Sequence, residues 1–111
     1  MGDQVFLGDL AETSAAESLV EMFPMTLGMG DWNAVAKSFS LPSTLPEEPE
    51  NFAALQPGQL VLQGSGELLL VYGETSQGGS YTPLATVEEP QGLAQALSGQ
   101  MVEVSFQMIE E

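Results

Sequence analysis

The run Leu68-Leu69-Leu70-Val71 constrains the fold of this chain more than any other feature. It carries no apolar/polar alternation, so the strand it forms reads as buried on both faces or central. Gly64-Ser65-Gly66 joins it to the segment Gln59 to Gln63, and the two read as a hairpin, Gln59 to Tyr72, entered through a turn at Pro57-Gly58. The strand from Leu68 to Val71 is the candidate for the middle of the core.

Other segments supply strands. Val5 to Leu10 alternates loosely after the turn-like Gly2-Asp3-Gln4. Met25, Leu27 and Met29 alternate with Thr26, Gly28 and Gly30, which leaves one face nearly bare. Tyr81 to Val87 forms another strand after a loop from Gly73 to Ser80. Val102, Val104, Phe106 and Met108 alternate with Glu103, Ser105 and Gln107, giving a strand with one wet face. Two helices are expected. The first runs from Ser14, in capping-box spacing with Glu17, to Phe23 before Pro24, and the second from Pro90 to Leu97, stopped by Ser98-Gly99. From Asp31 to Phe39 the pattern is broken by Trp32, Asn33 and Lys37, and Pro42 to Asn51 reads as a surface loop bearing Glu47, Glu48 and Glu50. Short strands, two brief helices and glycine turns within 111 residues predict one mainly β domain over 1–111, a small closed or partly open antiparallel barrel.

Composition narrows the chemistry. Lys37 is the one basic side chain against 16 carboxylates, for a formal charge of −15, and arginine, histidine and cysteine are absent. Imidazole and thiol chemistry are thereby excluded, as is the guanidinium fork that grips phosphates or polarises carbonyls. The charge disfavours nucleic acid and anionic membrane surfaces and leaves neutral or cationic partners; it also fits a protein kept in solution at high salt. No apolar stretch is long enough to span a membrane and no secretory signal precedes Val5, so the expected location is the cytoplasm.

Candidate sites have two readings each. Asp31, Trp32, Asn33 and Lys37 form a cleft with an aromatic wall, one cation and two polar groups, joined by Phe39, Tyr72, Tyr81 and Thr82; the preferred structural alternative has Asp31 and Asn33 capping a turn, Trp32 covering the core and Lys37 paired with a carboxylate. Glu47, Glu48 and Glu50 match no ordered metal loop, and Asp31-x-Asn33 lacks the glycine and terminal glutamate of a calcium loop, so neither metal nor cofactor is expected. Asp9 with Glu12, or Glu88 with Glu89, are carboxylate pairs available for acid-base work. Met22, Met25, Met29, Met101 and Met108 read as adaptable core filler.

The order of segments also carries a resemblance. Glu12-Thr13-Ser14-Ala15-Ala16-Glu17 through Phe23-Pro24, Asp31-x-Asn33 with Lys37, Leu45-Pro46, Gly58-Gln59-Leu60, Ser80-Tyr81-Thr82 followed by Leu84, and Gly92 to Leu97 resemble, over nearly the whole chain, the bacterial cyclophilin-like domain family. The resemblance implies a cyclophilin-type barrel with a helix at its mouth. Two departures stand out. The family usually has a further strand before the turn at Gly2-Asp3-Gln4, whose loss would leave an unpaired edge and invite a homodimer or a covered edge. Pro83 also stands where the family often has an arginine. True cyclophilins polarise the prolyl amide with an arginine, and this chain has none. The expected function is therefore a non-enzymatic module for a small molecule or peptide, the alternative being a weak enzyme, either a degenerate prolyl isomerase or a carboxylate-based catalyst.

Overall fold

In the computed structural model, the hairpin at the centre forms as its residues dictate. Gln59 to Gln63 (β5, Gln59–Gln63) pairs with Glu67 to Val71 (β6, Glu67–Val71) in the register Leu60↔Leu70, Leu62↔Leu68. Its entry is a turn in which the Gln59 N–H donates to the Gln56 carbonyl, with Pro57 fixing one central residue and Gly58 at φ 96 supplying the other, a conformation only glycine adopts without strain. The structure describes residues 6–32, 35–41, 44–64, 66–74, 78–89, 91–97 and 100–107. Val5, Asn33, Ser65, Pro90, Ser98, Gly99 and Met108 lie outside them.

The remaining elements are β1 (Gly8–Leu10), α1 (Ser14–Val20), β2 (Met25–Trp32), β3 (Ala36–Ser40), β4 (Glu50–Phe52), β7 (Gly79–Val87), α2 (Leu93–Ala96) and β8 (Met101–Phe106). The strands pair antiparallel in the order β1-β7-β5-β6-β3-β2-β8, with β4 also on β7, and the sheet curls into a half-barrel, the partly open form of the expected architecture. β6 sits at the middle of that path. Its alternate residues serve two cores: Leu68 and Leu70 join Leu27, Met29, Leu60, Leu62, Leu84 and Val104 on the inner face, where α1 (Ala15, Ala16, Leu19) and α2 (Leu93) pack with Leu97. Leu69 and Val71 join Ala36, Leu55, Val61 and Tyr81 on the outer face, covered by Trp32, Val35 and Phe52.

Several expectations are corrected. Most of the stretch from Asp31 to Phe39 is strand: β2 continues through Trp32, and β3 (Ala36–Ser40) lies beside it with Gly30↔Ser38, Asp31↔Lys37 and Trp32↔Ala36 in register. The period of two was present, but a lysine at an inward position disguised it. The segment read as a loop ends in β4, which pairs Glu50↔Tyr81 and Phe52↔Gly79, and its Leu45 is buried in the inner core. Gly78, at that contact, has no room for a side chain, because a Cβ there would lie 1.9 Å from the Phe52 carbonyl oxygen.

The first helix starts at Ser14, as expected, but the capping box misplaces its cap. Thr13 is the cap: its Oγ1 accepts from the Ala16 N–H at 3.1 Å and donates to the Pro83 carbonyl at 3.0 Å, so this hydroxyl both ends the helix and ties it to β7. Ser14 is instead the first helical residue. The helix stops at Val20, and the Met22 and Phe23 N–H groups close its end on Leu19 and Val20, three residues back. Met101 is not core filler, since 68% of it is exposed. It faces Gly30 across the strands, and its sulfur lies over that glycine.

Candidate functional site

Sheet register alone gathers the polar residues of the inner face. Lys37 on β3 lies opposite Asp31 on β2 and Leu70 on β6, and Tyr72 follows Leu70 by two residues, so Asp31, Lys37 and Tyr72 share one face. The side chains meet there. The Lys37 ammonium donates to Asp31 Oδ1 at 3.2 Å, the Tyr72 hydroxyl donates to the same oxygen at 2.6 Å, and the ammonium stands 5.8 Å from the Tyr72 ring centroid, within cation–π reach.

Burial differs sharply among the three. Lys37 is wholly buried, whereas 35% of the Asp31 side chain is exposed and Tyr72 is half-buried. An ammonium taken out of water needs an opposite charge and hydrogen-bond acceptors, and the Asp31 carboxylate meets that need. The Tyr72 phenol is pushed up to about 12, first by loss of solvent, then by its hydrogen bond to Asp31 and by that carboxylate's charge. It is a fixed proton donor at neutral pH, not a base. The cluster thus presents a carboxylate with a lysine behind it and a phenol beside it.

The other residues expected at a cleft divide between the two faces. Phe39 and Thr82 are inward, opposite Leu68 and Leu62. Trp32 and Tyr81 are outward and pack in the second core, where the Tyr81 ring meets Phe52 edge-on at 5.9 Å. The sheet therefore separates the aromatic wall from the cation it was expected to accompany. Asn33 lies outside the described residues. The alternative pairing of Lys37 with a carboxylate, and the covering of the core by Trp32, are what these residues do here.

The acidic loop has a structural use. The Glu48 N–H donates to Thr82 Oγ1 at 3.0 Å, while its carboxylate accepts the Ser14 N–H at the start of α1. A negative group at that place satisfies a helical amide that has no partner within the helix. No sequence motif announced this contact, which spans 34 residues. Among the described residues, no group of three or more acidic side chains is placed to hold a metal ion.

The carboxylates also pair differently from their order in the chain. Asp9 meets Glu88, because β1 lies beside β7 with Asp9↔Thr86 in register. The Glu88 carboxyl is held above the usual range, chiefly by the Asp9 charge and then by a hydrogen bond to Asp9. Both residues are exposed, so neighbouring charge rather than burial dominates the shift. Neither adjacent pair expected from sequence, Asp9 with Glu12 or Glu88 with Glu89, contains this partnership.

No curated protein and no solved structure matches the chain. The family model described as "Cyclophilin-like family" matches residues 1–107, in agreement with the curled antiparallel sheet and its two helices, and the chain belongs to that family.

Proposed function

We propose that this cyclophilin-like domain is a non-enzymatic binding module without prolyl isomerase activity, and that it offers Asp31 and Tyr72 to a neutral or cationic small molecule or peptide. The observation that carries this reading is the burial of Lys37. It is the sole basic side chain in the sequence, and it is spent on Asp31 inside the sheet. Polarising a prolyl carbonyl needs a donor aimed at the substrate, which an enclosed and ion-paired ammonium does not supply. The exposed part of the cluster is an acceptor flanked by a phenol, which suits a ligand bearing N–H or O–H groups. The acidic exterior disfavours an anionic one.

A prolyl cis/trans assay on a chromogenic peptide tests the first half. The expected result is no acceleration by native protein or by Lys37→Met; acceleration by native protein that Lys37→Met removes, with the fold intact by circular dichroism, overturns it. Amide NMR titration with neutral, lysine-bearing and glutamate-bearing peptides tests the second. Shifts centred on Asp31 and Tyr72 for the first two peptides support the reading. Their absence for all three sinks it.

A further inference from the structure

With no cysteine in the sequence, methionine thioethers are all the sulfur this chain can offer to an oxidant. The sheet treats the described methionines unequally. Met29 is fully buried in the inner core, and Met22 and Met25 are partly buried against it. Met101 is turned to the opposite face, where 68% of it is exposed.

Sheet register accounts for that exposure. In an antiparallel pair a side chain is covered first by the residue directly opposite and then by the diagonal ones. Directly opposite Met101 is Gly30, and one of its diagonal neighbours is Gly28, so neither place supplies a side chain to shelter the thioether. The thioether lies along bare backbone instead: a Cβ added at Gly30 would stand 3.3 Å from Sδ, and one added at Gly28 would stand 3.7 Å from Cε. Met101 thus rests on β2 with most of its surface in solvent. A small neutral oxidant reaches it without the repulsion that the formal charge of −15 exerts on an anionic one.

We propose that Met101 is a site of reversible oxidation by hydroperoxides, and that the fold accommodates the product. A sulfur lone pair attacks one peroxide oxygen, so an S–O bond forms as the O–O bond breaks. The proton of the transferred hydroxyl passes to the displaced oxygen, which leaves as water or an alcohol; sulfur is oxidised and the peroxide reduced. Return to the thioether requires a dithiol-dependent sulfoxide reductase, since this chain holds no thiol of its own. Position decides what the sulfoxide does. At Met101 the polar oxygen is hydrated in place, whereas at Met29 it would be forced into the inner core among Leu27, Leu68 and Val104. The Asp31–Tyr72 cluster takes no part in this chemistry, so the two proposals fail separately.

The test treats the full chain with hydrogen peroxide under native conditions and then cleaves it after glutamate. That cleavage isolates Met101 in the fragment 90–103, apart from Met22, Met25 and Met29 in 22–47. Mass spectrometry is expected to show Met101 oxidised ahead of Met22 and Met25 and about tenfold faster than Met29. Its rate should hardly change when the chain is unfolded in urea, and a methionine sulfoxide reductase supplied with dithiothreitol should reverse it. Met101→Gln, a polar stand-in for the sulfoxide, is expected to keep the melting temperature, and Met29→Gln to lower it. Oxidation of Met101 no faster than that of Met29, or a rate that climbs steeply on unfolding, shows a sheltered sulfur and overturns the proposal. A melting temperature lowered by Met101→Gln as much as by Met29→Gln overturns it too, because the fold would then not tolerate the product.

Discussion

The middle of the sheet and its β2–β8 flank are built from similar strands but solve opposite problems. β5, β6 and β3 are sandwiched: inner residues meet the helices, and outer residues meet Leu55, Phe52 and Trp32. β2 and β8 are covered on one side only. Their outer face carries Thr26, Gly28 and Gly30 opposite Ser105, Glu103 and Met101, tied by a 2.9 Å hydroxyl pair between Thr26 and Ser105. One half of the sheet is packed like an interior and the other like a surface, and the Asp31–Lys37–Tyr72 cluster lies where β2 leaves the first regime for the second. Stability should therefore reside in the middle and recognition at the flank.

The widest separation between the regions is expected from side-chain truncation. Leu69→Ala on the outer face of β6 removes a fully buried side chain and should cost about 2–5 kcal/mol, whereas Ser105→Ala on β8 should stay within about 0.5 kcal/mol. Urea unfolding of both variants checks this, and equal losses break the comparison. Next in size is the boundary cluster. Asp31→Asn leaves the Lys37 ammonium buried beside a neutral partner and should cost about 2 kcal/mol, less than a fully enclosed pair because Asp31 is partly solvated. Lys37→Met, which removes the charge while keeping most of the length, should cost less than Asp31→Asn. The reverse order would show that the ion pair does not set this junction.

Alkaline titration gives a smaller and sharper signal. A tyrosine raised from 10.0 to about 12 in the folded chain binds its proton more tightly than in the unfolded one, so its contribution to stability is complete below pH 10.0 and disappears as the pH climbs towards 12. Near-ultraviolet absorbance should show Tyr72 ionising late, and Asp31→Asn should bring that ionisation down. No change in the Asp31→Asn variant would mean solvent exclusion alone sets it. The smallest effect belongs to the exposed pair at the other end of the sheet. Glu88→Gln removes the repulsion from Asp9, so it should raise the melting temperature slightly at neutral pH and leave it unchanged in acid below 4.5, where the native Glu88 is already protonated.

What could be read from sequence divides along the same line. The β5–β6 hairpin was legible because Pro57-Gly58 and the glycines after Gln63 mark its limits, and the unbroken apolar run of β6 demanded cover on both faces. β3 was not. A strand is recognised by its alternation, and Lys37 occupies an apolar position that the nearby Asp31 carboxylate helps to make tenable. That compensation arises from strand pairing, which single-strand patterns do not contain. The candidate residues were drawn from the right segments, yet their faces depend on register, and register separated Trp32 and Tyr81 from Lys37 and Tyr72. The Asp9–Glu88 and Ser14–Glu48 contacts join residues 79 and 34 positions apart, for which no local spacing rule exists.

Enclosing Lys37 also shapes how the molecule meets proteases. An enzyme of trypsin type cuts only after lysine or arginine, and this sequence offers it one bond, between Lys37 and Ser38, inside a strand paired on both sides. Such an enzyme must wait for β3 to leave the sheet. Its single cut turns the chain into its own gauge of opening, with a rate set by how often the centre of the molecule comes apart.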